Sequence, residues 1–143
     1  MQKILRIAGA LVLLAVVAVA GFAAFVAARG VPTYDKPTPA PLTVAHTEAQ
    51  VVRGRKIASM LCVQCHSVPG QPLKGKLMDD LPTEFGEVWT ANITQHPEHG
   101  IGRWTDGELV HLLRTGVRRD GRYAVVMPQF PNMSDADIQA VVA

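Results

Sequence analysis

With only two cysteines in 143 residues, Cys62 and Cys65, the chain cannot build the disulfide framework that braces small secreted domains. Charge is also sparse, at 18% of residues. From His46 onward ten Lys and Arg face eleven Asp and Glu, a near-neutral balance that leaves no electrostatic footprint for nucleic acid. Aromatic residues make up 6%, and Phe22 and Phe25 fall in the apolar N-terminal run, so the rest of the chain has few large rings from which to build a core. Sustained period-2 alternation is missing, which removes the pattern of a half-buried sheet, and no segment repeats. The length leaves room for one small domain beside any membrane segment and rules out a two-domain enzyme.

What the chain does have is one long hydrophobic run. Ile7 to Ala28 is 22 residues without a charged or strongly polar side chain, and as a helix it spans about 33 Å, enough to cross a bilayer core. A cleaved signal peptide is the competing reading, because Ala18-Val19-Ala20 and Val26-Ala27-Ala28 offer small residues to a peptidase. The length of the run exceeds a signal h-region and favours a retained single-pass anchor over residues 1–29. Lys3, Arg6 and the α-amino group lie before it and Arg29 alone close after it. That asymmetry puts the N-terminus in the cytoplasm and residue 30 onward on the extracytoplasmic, periplasmic side. Residues 30–45 contain Pro32, Pro37, Pro39 and Pro41, the composition of an extended, semi-rigid linker that holds a domain away from the membrane.

Residues 46–143 form the remaining domain, and its helices announce themselves by their starts. Thr47…Gln50, Thr105…Glu108 and Ser134…Asp137 each match the capping box, in which a hydroxyl and a side chain three residues on satisfy exposed backbone groups reciprocally. The first predicts a helix running into Cys62, the second a helix from Leu109 to Thr115 ending at Gly116, the third a helix of about two turns from Ala136 to Val142. The class is all-α. Three short helices and roughly 50 irregular residues bury too little apolar surface for a domain of about 100 residues. A large flat apolar cofactor would complete the core.

Cys62-Val63-Gln64-Cys65-His66 is the C-x-x-C-H pattern of covalent c-type haem attachment. Two thiols three residues apart on a helical turn face one way and each can add to a vinyl group, while the adjacent imidazole reaches the iron from the same side. A thioredoxin-like pair would stand at a helix start after a strand, and a zinc site would need four ligands that no other histidine supplies at short spacing. One haem c, thioether-bonded to Cys62 and Cys65 with His66 as proximal ligand, is the reading. For the sixth position Met127 is the best candidate, since it lies in Val125-Val126-Met127-Pro128, a non-helical stretch stiffened by proline. Met133 adjoins the third capping box, Met60 sits too close to Cys62 to reach the opposite face, and Met78 lies in a polar loop. His/Met ligation closes the iron to small ligands and raises its potential relative to His/His.

From His46 to the end the chain resembles the class I cytochrome c family. The resemblance rests on Cys62-Val63-Gln64-Cys65-His66, on Met127-Pro128 far downstream, and on Gly54, where the family's last helix crosses its first. Within that family, Ala91-Asn92-Ile93-Thr94, Gly100-Ile101-Gly102-Arg103-Trp104-Thr105-Asp106 and Leu113-Arg114-Thr115-Gly116-Val117-Arg118-Arg119-Asp120-Gly121-Arg122 look like the haem modules of membrane-bound dehydrogenase cytochrome subunits. The resemblance implies a small class I fold around one covalent haem. It also implies electron transfer outside the cytoplasm, from a dehydrogenase or quinol-oxidising complex toward an oxidase or soluble cytochrome, with no catalysis by the chain itself. The family's last helix normally continues through an aromatic-Leu pair. This sequence stops at Ala143, so a longer natural chain or a partner subunit is expected to complete that contact.

Haem propionates need donors, and Asn92, Trp104, Arg119, Arg122 and Tyr123 are residue types that supply them, with Trp104 and Arg122 the preferred pair. Pro69 is expected to place its carbonyl on His66 Nδ1–H and so orient the ring. Arg114, Arg118, Arg119 and Arg122 form either a docking patch for an acidic partner or compensation for propionate charge. His96 and His99 read as a surface loop rather than a metal site. Two other functions stay open from sequence: a ligand-binding haem sensor with an open distal site, and a thiol oxidoreductase with Cys62 and Cys65 free.

Overall fold

A computed structural model describes residues 2–143, except for the side chain of Phe85. Helix α1 (Gln2–Arg29) is followed by α2 (Glu48–Leu61), the single turn α3 (Val63–His66), a 3₁₀ turn at Thr83–Phe85, α4 (Asp106–Thr115) and α5 (Asp135–Val142). Among the described residues there is no strand, only isolated bridges. The 28 residues of α1 are long and apolar enough to cross a membrane, and none is buried.

Each predicted cap is in place. Thr47 accepts from the Gln50 N–H and Ser134 from the Asp137 N–H, while Thr105 and Glu108 complete the reciprocal pair. All three helices begin right after these residues, and α4 stops where Gly116 turns left-handed, the conformation that satisfies the last helical carbonyls. Helix α5 packs across α2 with Ala140 against Gly54. Arg53 on α2 bonds Asp137 on α5 at 2.6 Å across the same contact. That bond, then the Ser134 hydroxyl, hold the Asp137 carboxyl below the usual aspartate range. A depressed carboxylate stabilises the fold above its unfolded pKa of about 3.9 and loses that contribution as pH falls through its lower folded value. The domain should therefore weaken as pH drops below about 4. Asp137→Asn should flatten that limb of the profile in acid titrations followed by helical circular dichroism.

The linker expectation is overturned. Pro32 O accepts from Tyr123 N at 3.0 Å, Tyr34 N donates to Gly121 O at 2.8 Å, and Thr33 bridges Arg122. Further on, Ala40 O lies against Gly107, Val44 N donates to Asp106 Oδ2 at 2.7 Å, and the Val44 side chain is 1% exposed. Residues 32–45 are a strap lying along the domain, and the packed unit begins before His46. Proline richness dictates an extended backbone, but such a backbone can still lie on a surface wherever its carbonyls and remaining N–H groups find partners.

The core is as thin as the arithmetic required. Among the described residues the buried apolar side chains are Val44, Ile138 and Ala140. Arg114 does much of the remaining work: its side chain is 21% exposed, and its guanidinium donates to the carbonyls of Phe130, Pro131 and Met133 and pairs with Asp135. It is thus a clamp joining α4 to α5, which corrects its place in the expected arginine cluster. Arg114→Met should cost about 2–3 kcal/mol in urea denaturation, and Arg114→Lys should recover little, because a point charge cannot serve this planar fork of acceptors.

Candidate functional site

Cys62 caps α2 and opens α3, and its carbonyl accepts from the N–H groups of Cys65 at 3.2 Å and His66 at 2.9 Å. One helical turn therefore presents both thiols and the imidazole, and both cysteines are free and half-buried. Burial, and then the neighbouring Cys65, push the Cys62 thiol upward. A disulfide oxidoreductase needs the opposite, a thiolate stabilised near neutral pH.

The turn is gripped from outside. Gly75 N donates to His66 O at 2.8 Å, and the Thr90 hydroxyl donates to Cys65 O at 2.7 Å while accepting from Lys76 N. His66 Nδ1 is 2.8 Å from Ala91 O. A carbonyl only accepts, so Nδ1 carries the proton and the Nε2 lone pair is left for a metal. The expectation that Pro69 would fill this role is corrected: Pro69 is exposed and Ala91, 25 residues from His66, supplies the carbonyl. Thr90 and Ala91 were missed as site residues because nothing in their types signals a role played by backbone oxygen and a hydroxyl at long sequence range.

Met127 is half-buried in a bend whose backbone is fixed on both sides. Its N–H donates to Ala124 O at 3.2 Å and its carbonyl accepts from the Gln129 amide at 2.8 Å. Ala124 N and Phe130 N in turn bond Gly116 O and Leu113 O, tying the bend to the end of α4. Met133 lines a small interior void with Leu61, Cys62, Phe130, Ile138 and Val141, the packing role expected of it.

The proposed propionate donors have local contacts of their own. Asn92 Oδ1 accepts from both the N–H and hydroxyl of Thr94. Arg122 Nε bonds Asp120 at 3.0 Å, and the Tyr123 ring meets Tyr34 edge-on. The cation over the Trp104 ring is Arg119, 5.2 Å from its centre. His96 Nδ1 accepts from the N–H groups of Glu98 and His99, and no metal-binding cluster of three occurs among the described residues.

A haem fits what the polypeptide leaves undone. Leu61 and Val63 flank Cys62, Val125 and Val126 precede Met127, and all four are exposed, so the apolar residues adjoining both candidate ligand regions lack cover from the chain. A ring system bonded at Cys62 and Cys65 would supply it. A C-x-x-C-H turn, an oriented imidazole and a methionine bend fixed by backbone bonds on a sparse all-α frame are the features of a c-type cytochrome domain, a class that transfers electrons.

Comparison with known proteins gives the family. The family model described as "Cytochrome C oxidase, cbb3-type, subunit III" matches residues 49–143, and the chain belongs to that family of c-type cytochrome domains. It is 39% identical over 101 residues to the Gluconobacter oxydans "Alcohol dehydrogenase (quinone), cytochrome c subunit", covering 67% of this chain and 21% of that protein. Identity to a nicotinate dehydrogenase subunit of Pseudomonas putida is 41% over 102 residues, or 66% of this chain and 8% of that protein. The Pantoea cypripedii "Gluconate 2-dehydrogenase cytochrome c subunit" is 35% identical over 101 residues, 67% and 22% respectively. The chain thus spans about a fifth or less of the length of these relatives.

Proposed function

We propose that this chain is a membrane-anchored, monohaem electron carrier or electron-transfer subunit, its domain on the extracytoplasmic side. The observation that carries the reading is the attachment turn itself, with Cys62, Cys65 and His66 on one turn and the His66 Nδ1–H engaged by Ala91 O. A haem c held there supplies reversible one-electron chemistry and a low-polarity filling for the core. The chain's own residues do the rest. Cys62 and Cys65 would bond the macrocycle covalently, and His66 Nε2 would ligate from a ring whose orientation and basicity Ala91 sets. Met127 would be the second ligand, offered from a bend that Ala124, Gln129 and, through residues 130–135, Arg114 hold in place. A site closed on both sides with little reorganisation suits electron transfer rather than gas binding. One C-x-x-C-H occurs in the sequence, which supports one haem, although a relative 33% identical over 82 residues is a "Diheme cytochrome c-type".

Partners follow the same chemistry. Relatives named as cytochrome c subunits of alcohol and gluconate dehydrogenases and as a fructose dehydrogenase cytochrome subunit support a donor that is a dehydrogenase or quinol-oxidising complex; the acceptor we propose is an oxidase or soluble cytochrome. The apolar α1 with Lys3 and Arg6 before it supports single-pass anchoring in the cytoplasmic membrane, N-terminus inside. The test is optical. The oxidised protein should carry the weak sulfur-to-iron band at the red edge of the spectrum, and the reduced protein should ignore carbon monoxide. Rapid gas binding by the unaltered protein would overturn His66/Met127 ligation and favour an open-site sensor.

A further inference from the structure

Between Arg29, the last residue of α1, and Pro32, whose carbonyl is bonded to Tyr123 N, only Gly30 and Val31 intervene. Three residue steps extend at most about 11 Å. The loop from Val117 to Tyr123, closed on itself by the Val117–Tyr123 bridge and bonds between Arg118 and Arg122 and between Gly121 and Arg118, is therefore tethered within a headgroup layer's reach of the end of α1. The attachment is not incidental to the backbone. Gly121 adopts a φ of +85°, and a Cβ there would stand 2.3 Å from Tyr34 O, so the strap requires glycine at its closest approach. Val44 and Asp106 fix the far end of the same strap.

The side chains brought to this place are basic. Arg118, Arg119 and Arg122 stand on the loop with Asp120 the lone acid among them, and Arg29 and Lys36 lie on the adjoining chain with Asp35. The loop and the adjoining chain together carry five cations and two anions, one short step from the bilayer, in a domain that is close to neutral as a whole and acidic elsewhere. Partial burial raises the Asp120 carboxyl, but bonds from Arg122 and the charges of Arg118 and Arg122 outweigh it and hold the acid ionised, so the excess stays at about three charges.

Resting on the reading of α1 as a membrane anchor, we infer that the Val117–Tyr123 loop is an anionic-phospholipid contact, and that the strap holds the cytochrome domain against the bilayer in one orientation. Juxtamembrane Lys and Arg are attracted to anionic headgroups within about a Debye length, and a tether this short keeps them there. The consequence is a carrier that presents one chosen face to partners in the membrane plane.

The full-length haem-loaded protein, reconstituted in oriented bilayers of phosphatidylcholine with or without phosphatidylglycerol, tests this by linear dichroism of the Soret band. The parent should be dichroic, more so with phosphatidylglycerol at low salt. A flexible Gly/Ser insertion of about 12 residues between Arg29 and Gly30 leaves the strap on the domain but frees the domain by about 20 Å, and should reduce the dichroism at least about two-fold. Arg118→Gln with Arg119→Gln should remove the phosphatidylglycerol and salt dependence. Flotation with vesicles before and after carbonate washing separates the premises: protein lost from the vesicles would refute anchoring by α1. Protein that floats yet is isotropic, or equally dichroic with the insertion, would overturn the orientation inference and leave the arginines to an acidic protein partner.

Discussion

Met127→Ala should change the oxidised protein from low-spin to high-spin, abolish the sulfur-to-iron band, and take carbon monoxide binding by the reduced protein from none to stoichiometric. Its midpoint potential should fall, since the thioether favours reduced iron. The bend around Met127 is fixed through its backbone N–H and carbonyl rather than its side chain, so truncation should leave the fold in place and expose a coordination position. Met133→Ala is the control. Its side chain lines the void beneath α5, so it should lose thermal stability without altering the spectrum. Met127→His should keep the iron closed but lower the potential further. If Met127→Ala and the parent give the same spectra, the sixth ligand lies elsewhere.

Gly54→Ala should destabilise the domain by about 3–5 kcal/mol, and Gly54→Val by more. A Cβ at Gly54 would lie 1.7 Å from Ala140 O and 2.5 Å from Ala140 C, and backbone atoms cannot rotate out of the way as a side-chain tip can. Helix α5 would have to lift, uncovering Ile138, which is 1% exposed, and lengthening the Arg53–Asp137 pair. The sign is informative because helix propensity alone makes Ala better than Gly by about 1 kcal/mol inside a helix. A melting temperature lower by on the order of 15–30 °C would follow for a domain this size. A rise, or a change within about 1 kcal/mol, would show that α2 and α5 do not cross as closely as described.

The features legible in the sequence are those in which cause and effect are close along the chain. The capping hydroxyls of Thr47, Thr105 and Ser134 act on residues three positions away, and Cys62, Cys65 and His66 share one turn. Gly116 ends α4 by its own backbone freedom. The misjudged features are long-range and mediated by backbone atoms. Ala91 rather than Pro69 orients His66, and no side-chain chemistry marks an alanine carbonyl as a partner. The charge of Arg114 is visible in sequence, but its use is set by three carbonyls beyond Met127 that converge only after folding. Proline content argues against a helix over residues 30–45, yet whether that chain is solvated or laid on the domain depends on acceptors at Gly121 and Asp106.

The most direct test of the central claim is to count haem per full-length chain after acid denaturation and extraction with an organic solvent, with thiols titrated on the same sample and a redox titration on the native protein. The account predicts one haem per chain retained through denaturation, no free thiol at Cys62 or Cys65, and a single reversible one-electron transition. Haem that is extracted, or two reactive thiols on a protein without redox response, would contradict it.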